Sequence, residues 1–138
     1  MKKVVFICTG NTCRSAMAEY LFRSKTIGKD VQVASMGLIG NYSPASKYPQ
    51  ELCKDIGISQ HTSRPILYDE LFNSDTIYVM ENWQKDELVS AYPDLKSKTF
   101  LLLHKGIDIS DPHGGTRDDY LHTYIIINKE IDAIVKSL

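Results

Sequence analysis

The sequence predicts an α/β fold: a single three-layer domain, residues 1–138, in which a four-stranded parallel sheet carries helices on both faces. Three observations carry that expectation. Short apolar runs suited to buried strands alternate with longer segments of helical period. The first run passes through a small-residue turn straight into a helix. The last segment is a long amphipathic stretch opened by a capping signal.

Each element follows in order. Residues 4–7, Val-Val-Phe-Ile, read as a buried strand, and 15–23 as a helix with Ala18, Leu21 and Phe22 on its inner face. Residues 31–34 form a second strand running into Ser35-Met36-Gly37. After a loop containing Gly40-Asn41 and Pro44, a helix is expected over 46–55, stopped at Gly57. Arg64-Pro65 breaks the chain again. Residues 76–80 make the third strand, 84–91 a helix ended by Pro93, and 99–103 the fourth strand. The stretch 104–115, with Gly106, Asp111-Pro112 and Gly114-Gly115, disfavours regular structure. Thr116 and Asp119 resemble a capping box. Beyond it Leu121, Ile125, Asn128, Ile131, Ile134 and Leu138 recur at helical spacing, with Tyr124, Ile127 and Val135 widening the stripe.

Composition narrows the function classes. The chain has 138 residues, 43% hydrophobic and 24% charged, enough to bury a core without disulfides or metal. Sixteen basic and 17 acidic side chains leave a formal charge of −1, which gives no global pull toward nucleic acid or an anionic membrane. Any phosphate affinity must be local. No stretch approaches the roughly 20 apolar residues of a membrane span. The four apolar residues between Lys3 and Cys8 are too few for a signal-peptide core. Three cysteines, an odd number without framework spacing, point to a reducing cytoplasm. Cys8 and Cys13, with His61, His104, His113 and His122 scattered, do not have zinc-ligand spacing, so neither metal nor cofactor is expected.

The chemistry concentrates in Cys8-Thr9-Gly10-Asn11-Thr12-Cys13-Arg14-Ser15, a C-x5-R-S turn between strand and helix. Small residues allow successive backbone N–H groups to converge into an anion nest, and the following helix adds its positive end. Arg14 supplies a planar fork for two phosphate oxygens. In that positive field Cys8 is expected to ionise below the free-thiol value of about 8.5, giving a nucleophile beneath a bound phosphate. Thr9, Gly10, Asn11, Thr12 and Cys13 would cradle the oxyanion. Ser15 would either donate to the Cys8 sulfur or cap the helix. Cys13 is close enough in sequence to form a reversible disulfide with Cys8 if the geometry permits. A nucleotide-binding P-loop needs a lysine and a dinucleotide fingerprint needs three glycines, and this turn has neither.

A thiolate displacement also needs a proton for the leaving group. Asp111 is the candidate general acid, since it lies in a loop beyond the fourth strand's carboxyl end, on the rim where ligands bind in parallel sheets. Asp108 competes, but no proline fixes the chain beside it. His113 and Tyr42 are placed at the pocket mouth, and Cys53 in the core.

These residues together resemble the low-molecular-weight protein tyrosine phosphatases. Cys8 to Ser15 followed by Ala18-Glu19 matches the family signature, and the likeness extends through Ser35-Met36-Gly37, His61 to Arg64, Met80 and Ser110-Asp111-Pro112. The resemblance implies metal-free, two-step hydrolysis of phosphorylated protein side chains. Cys8 would be the nucleophile, Arg14 the phosphate ligand and Asp111 the acid. Thr12-Cys13 and Asp111-Pro112-x-Gly114-Gly115 look like the bacterial protein-arginine phosphatase branch, where tyrosine-specific members carry a bulky aliphatic residue in place of Thr12. His113 departs from both branches. Two rivals remain: a thioredoxin-linked arsenate reductase and a non-catalytic phosphate- or phosphopeptide-binding module. The first needs further cysteines, absent from residues 82–115; the second needs neither nucleophile nor acid.

Overall fold

Val4, Phe6 and Cys8 alternate with Val5 and Ile7 along the first strand, so one strand feeds two cores, one on each face of a sheet. This computed structural model describes residues 1–103 and 105–138; His104 lies outside the described residues. The elements run β1 (Lys2–Cys8), α1 (Arg14–Lys25), β2 (Val31–Gly37), α2 (Lys47–Leu52), α3 (Tyr68–Phe72), β3 (Thr76–Val79), α4 (Asn82–Ala91), β4 (Thr99–Leu101) and α5 (Arg117–Lys136). All strand pairs are parallel, in the order β2-β1-β3-β4. The chain therefore reverses its winding beside β1, and the crevice at such a switch point opens at the strand's carboxyl end. Cys8 occupies that end.

On one face Met17, Leu21 and Phe22 of α1 meet Ile127 and Ile131 of α5 over Phe6. On the other, Leu71 and Leu88 pack against Val5, Ile7 and Ile77. No helix among the described residues is long and apolar enough to cross a membrane.

Three expectations need correction, and one helix is additional to them. The buried stripe of α5 is Tyr120, Thr123, Ile127 and Ile131. Ile125, 55% exposed, lies two residues before Ile127 and hence about 200° around the helix, so it faces solvent. The expected helix over 46–55 ends at Leu52 and tightens into one 3-10 turn, Lys54–Ile56, before Gly57, whose φ of 92° suits only glycine well. The fourth strand stops at Leu101, because the chain turns toward the rim. The five-residue α3 was not anticipated, being too short to display a helical period.

Candidate active site

The turn after β1 is held from beneath. Asn11 has φ 57°, a left-handed conformation that asparagine tolerates better than most residues. That bend aims its N–H at the Cys8 Sγ, 3.3 Å away, while its Nδ2 donates to the Ser15 Oγ at 2.7 Å. The Ser15 Oγ is 2.9 Å from the Cys8 Sγ. The Asn11 Oδ1 accepts the Arg64 N–H at 3.0 Å, and the His61 Nε2 lies 2.6 Å from the Asn11 carbonyl oxygen. His61 is buried, its other ring nitrogen 4.0 Å from Glu19, which also accepts a hydrogen bond from Ser35. The sulfur thus faces a hydroxyl and an amide N–H, both fixed by residues far apart in sequence.

Gly37 explains how β2 approaches this loop. A Cβ there would stand 2.8 Å from backbone atoms of Thr9, Gly10 and Asn11, so only glycine fits. Among the described residues, no protein acceptor takes the backbone N–H of Gly10, Thr12 or Cys13. Those donors are left for an anion, at the start of α1. Cys13 is the helix N-cap and makes no side-chain cap bond, so Ser15 serves the sulfur rather than the cap.

Arg14 is 1% exposed, and its charge is balanced within the protein. Its Nη1 donates to the Glu81 Oε2 at 2.6 Å and to the Ile109 carbonyl at 2.8 Å. Its Nη2 faces the Thr9 Oγ1 at 3.4 Å and the Asp111 Oδ2 at 3.5 Å. Gln84, fully buried, also donates to the Thr9 Oγ1 at 3.1 Å. Burial, and next the neighbouring Cys8, push the Cys13 thiol well above the usual thiol range. Burial alone pushes the Cys53 thiol up to about 12, in keeping with a core residue.

A cavity of about 240 Å3 opens over the sulfur, lined by Cys8, Thr9, Gly10, Thr12, Cys13 and Arg14 below, with Ile39, Ser46, Asp111, His113 and Tyr120 around the mouth. A larger cleft, about 680 Å3, runs along α1 and β2 and includes neither the cysteine nor Asp111. The small cavity is the one that brings the chemistry together. Asp111 is 44% exposed and its Oδ1 accepts the His113 N–H at 3.0 Å.

Of the predicted site residues, Asn11 and Ser15 do not line the cavity; they are buried under it and set the sulfur's surroundings. Tyr42 is exposed and outside the lining. Sequence reasoning missed Glu81, His61, Ile39, Ser46 and Tyr120. No local signal marks Glu81: it follows β3, and only the placement of β3 beside β1 brings it to Arg14.

Comparisons with known proteins show the family. The family model described as low molecular weight phosphotyrosine protein phosphatase matches residues 3–138. The chain belongs to that family. It is 32% identical over 142 residues to the protein-arginine-phosphatase of Geobacillus stearothermophilus, covering 99% of this chain and 95% of the relative. A low molecular weight protein tyrosine phosphatase structure from T. tengcongensis superposes with a TM-score of 0.91 at 35% identity, covering 100% of both chains. A YwlE arginine phosphatase variant with a phosphorylated active-site serine superposes with a TM-score of 0.91 at 29% identity, covering 99% of this chain and 95% of that one.

Proposed function

We propose that this family member hydrolyses phosphorylated side chains of proteins through a phosphocysteine intermediate, residues 1–138 acting as one catalytic unit. The observation that carries the reading is the Cys8 Sγ on the floor of a cavity, 2.9 Å from Ser15 and 3.3 Å from the Asn11 N–H, with Arg14 and Asp111 lining the same space.

In the first step the Cys8 sulfur attacks phosphorus, the S–P bond forms and the bond to the leaving oxygen or nitrogen breaks. Asp111 gives that atom a proton. Thr9, Gly10, Thr12 and Cys13 hold the phosphoryl oxygens by backbone N–H groups. With Nη1 of Arg14 tied to Glu81 and Ile109, the Nε–Nη2 edge of the fork takes two phosphoryl oxygens, Nη2 giving up its long contacts to Thr9 and Asp111. In the second step the Asp111 carboxylate takes a proton from water, the water oxygen attacks phosphorus, and the S–P bond returns its electron pair to sulfur. Inorganic phosphate leaves.

Thr12 biases the cavity toward phosphoarginine. Its hydroxyl meets a polar guanidinium better than a flat ring, and its carbonyl is fixed by the Ser46 N–H at 2.9 Å. His113 lines the same cavity as apolar Ile39 and contributes to substrate selection. The partners are phosphorylated proteins, with free phosphate and other oxyanions competing in the loop. Three free cysteines fit a reducing cytoplasm. The test is turnover of phosphotyrosine and phosphoarginine peptides with a metal chelator present. Hydrolysis of either supports the reading, and hydrolysis of neither, with oxyanion binding intact, favours a binding module.

A further inference from the structure

Asp108 lies three residues before Asp111 and is absent from the lining of the catalytic cavity. Its Oδ1 is turned the other way. It accepts the Asn82 backbone N–H at 2.7 Å and the Asn82 Nδ2 at 2.9 Å. The same Nδ2 reaches the Gly106 carbonyl at 3.2 Å. Asn82 is the first residue of α4, so its N–H has no partner within the helix, and a carboxylate there also meets the helix's positive end. One residue further on, the Ile109 N–H donates to the Met80 carbonyl at 2.8 Å, and the Ile109 carbonyl accepts from Arg14. Residues 106–109 are therefore fastened to the start of α4, beside the Glu81 that holds Arg14. Beyond them Ser110 and Asp111 are exposed, ahead of the buried Pro112, and Asp111 follows directly on the fastened segment.

We infer that Asp108 is a positioning residue, a latch on the N-terminus of α4 that sets where Asp111 reaches the leaving group. The inference rests on the reading of Asp111 as proton donor. The latch needs an acceptor oxygen and not a titrating acid, which separates it from Asp108 acting as a rival general acid. Asparagine offers an acceptor oxygen at the same place; alanine offers none. Losing the latch leaves Cys8 and Arg14 seated but lets Asp111 drift, so the loss falls on substrates that need protonation.

The experiment measures kcat/KM, which reports the first chemical step, on aryl phosphates whose leaving phenols run from strongly to weakly acidic. Asp108→Ala should lose about tenfold on the poorest leaving group and less than about twofold on the best. Asp108→Asn should recover to within about twofold of the parent throughout. Asp111→Asn, run alongside, should show the steeper dependence of a lost acid. An equal loss on all substrates in Asp108→Ala, or no rescue by asparagine, overturns the latch while Asp111→Asn remains steep. A flat response in Asp111→Asn overturns the proton-donor reading and the latch with it.

Discussion

The floor of the catalytic cavity and its rim are built on opposite terms. On the floor, Asn11, Arg14 and Ser15 are each under 2% exposed, and each is held by partners from other elements. On the rim, Ile39 is 71% exposed, Asp111 and His113 are exposed, and among the described residues Asp111 is tied only by the His113 N–H and a 3.5 Å approach to Arg14. The floor must keep donors aimed at charge that develops on a small, invariant group, and a buried, fully bonded setting does that without reorganisation. The rim meets a leaving group that differs among substrates and a water that must enter afterwards. Damage to the floor should therefore abolish chemistry, and damage to the rim should grade it.

The largest effect belongs to Cys8→Ser, which should remove measurable turnover while phosphate still binds, since a hydroxyl is a poor nucleophile but the donors above it remain. Steady-state assay beside phosphate titration checks it, and substantial turnover would remove Cys8 as nucleophile. Next, Asp111→Asn should cost about 10²–10⁴ in kcat/KM on poor leaving groups and far less on good ones, while kcat, which includes hydrolysis of the intermediate, should fall on all of them in steady-state assays. A loss on the order of 3 kcal/mol in urea unfolding is expected for Glu81→Ala, because among the described residues it leaves buried Arg14 with the exposed Asp111, 3.5 Å away, as its remaining acidic partner. If stability does not move, Arg14 is not held by that pair. Thr12→Ile should shift the ratio of kcat/KM between phosphoarginine and phosphotyrosine peptides toward phosphotyrosine, by roughly 10- to 200-fold. An unmoved ratio makes Thr12 an ordinary loop residue.

The smallest expected effect concerns oxidation. Burial keeps the Cys13 thiol protonated in the neutral range, so its attack on an oxidised Cys8 should quicken as pH rises. After mild peroxide and then thiol, recovery should be poorer in Cys13→Ala, most clearly at higher pH. Equal recovery would deny Cys13 a protective part.

The same contrast sorts what the sequence made legible. The turn proposed to carry the nucleophile could be read because its shape depends on contiguous residues: a strand ending in Cys8, five small or polar positions, an arginine and a helix. β1 was readable for a similar reason, since Val4 to Ile7 are buried on both faces and form a continuous apolar run. What lay beyond reading were partnerships across the chain. Nothing local in Glu81, His61 or Asp108 distinguishes an ion-pair partner, a loop support or a latch from a solvated surface residue. The separations of 67 residues between Glu81 and Arg14 and 50 between His61 and Asn11 are closed only by the sheet. In α5, apolar residues on two faces made the period ambiguous, and packing against α1 chose Ile127 and Ile131 over Ile125.

The central claim is that phosphate passes through the Cys8 sulfur. Its most direct test is to mix Asp111→Asn with an aryl phosphate bearing a good leaving group, quench rapidly and map the modified peptide by mass spectrometry. With no carboxylate to activate water, the intermediate should accumulate, and the phosphate should be found on Cys8. Full release of the phenol with no phosphorylated protein at any quench time, under conditions that preserve a thiophosphate ester, would contradict the account.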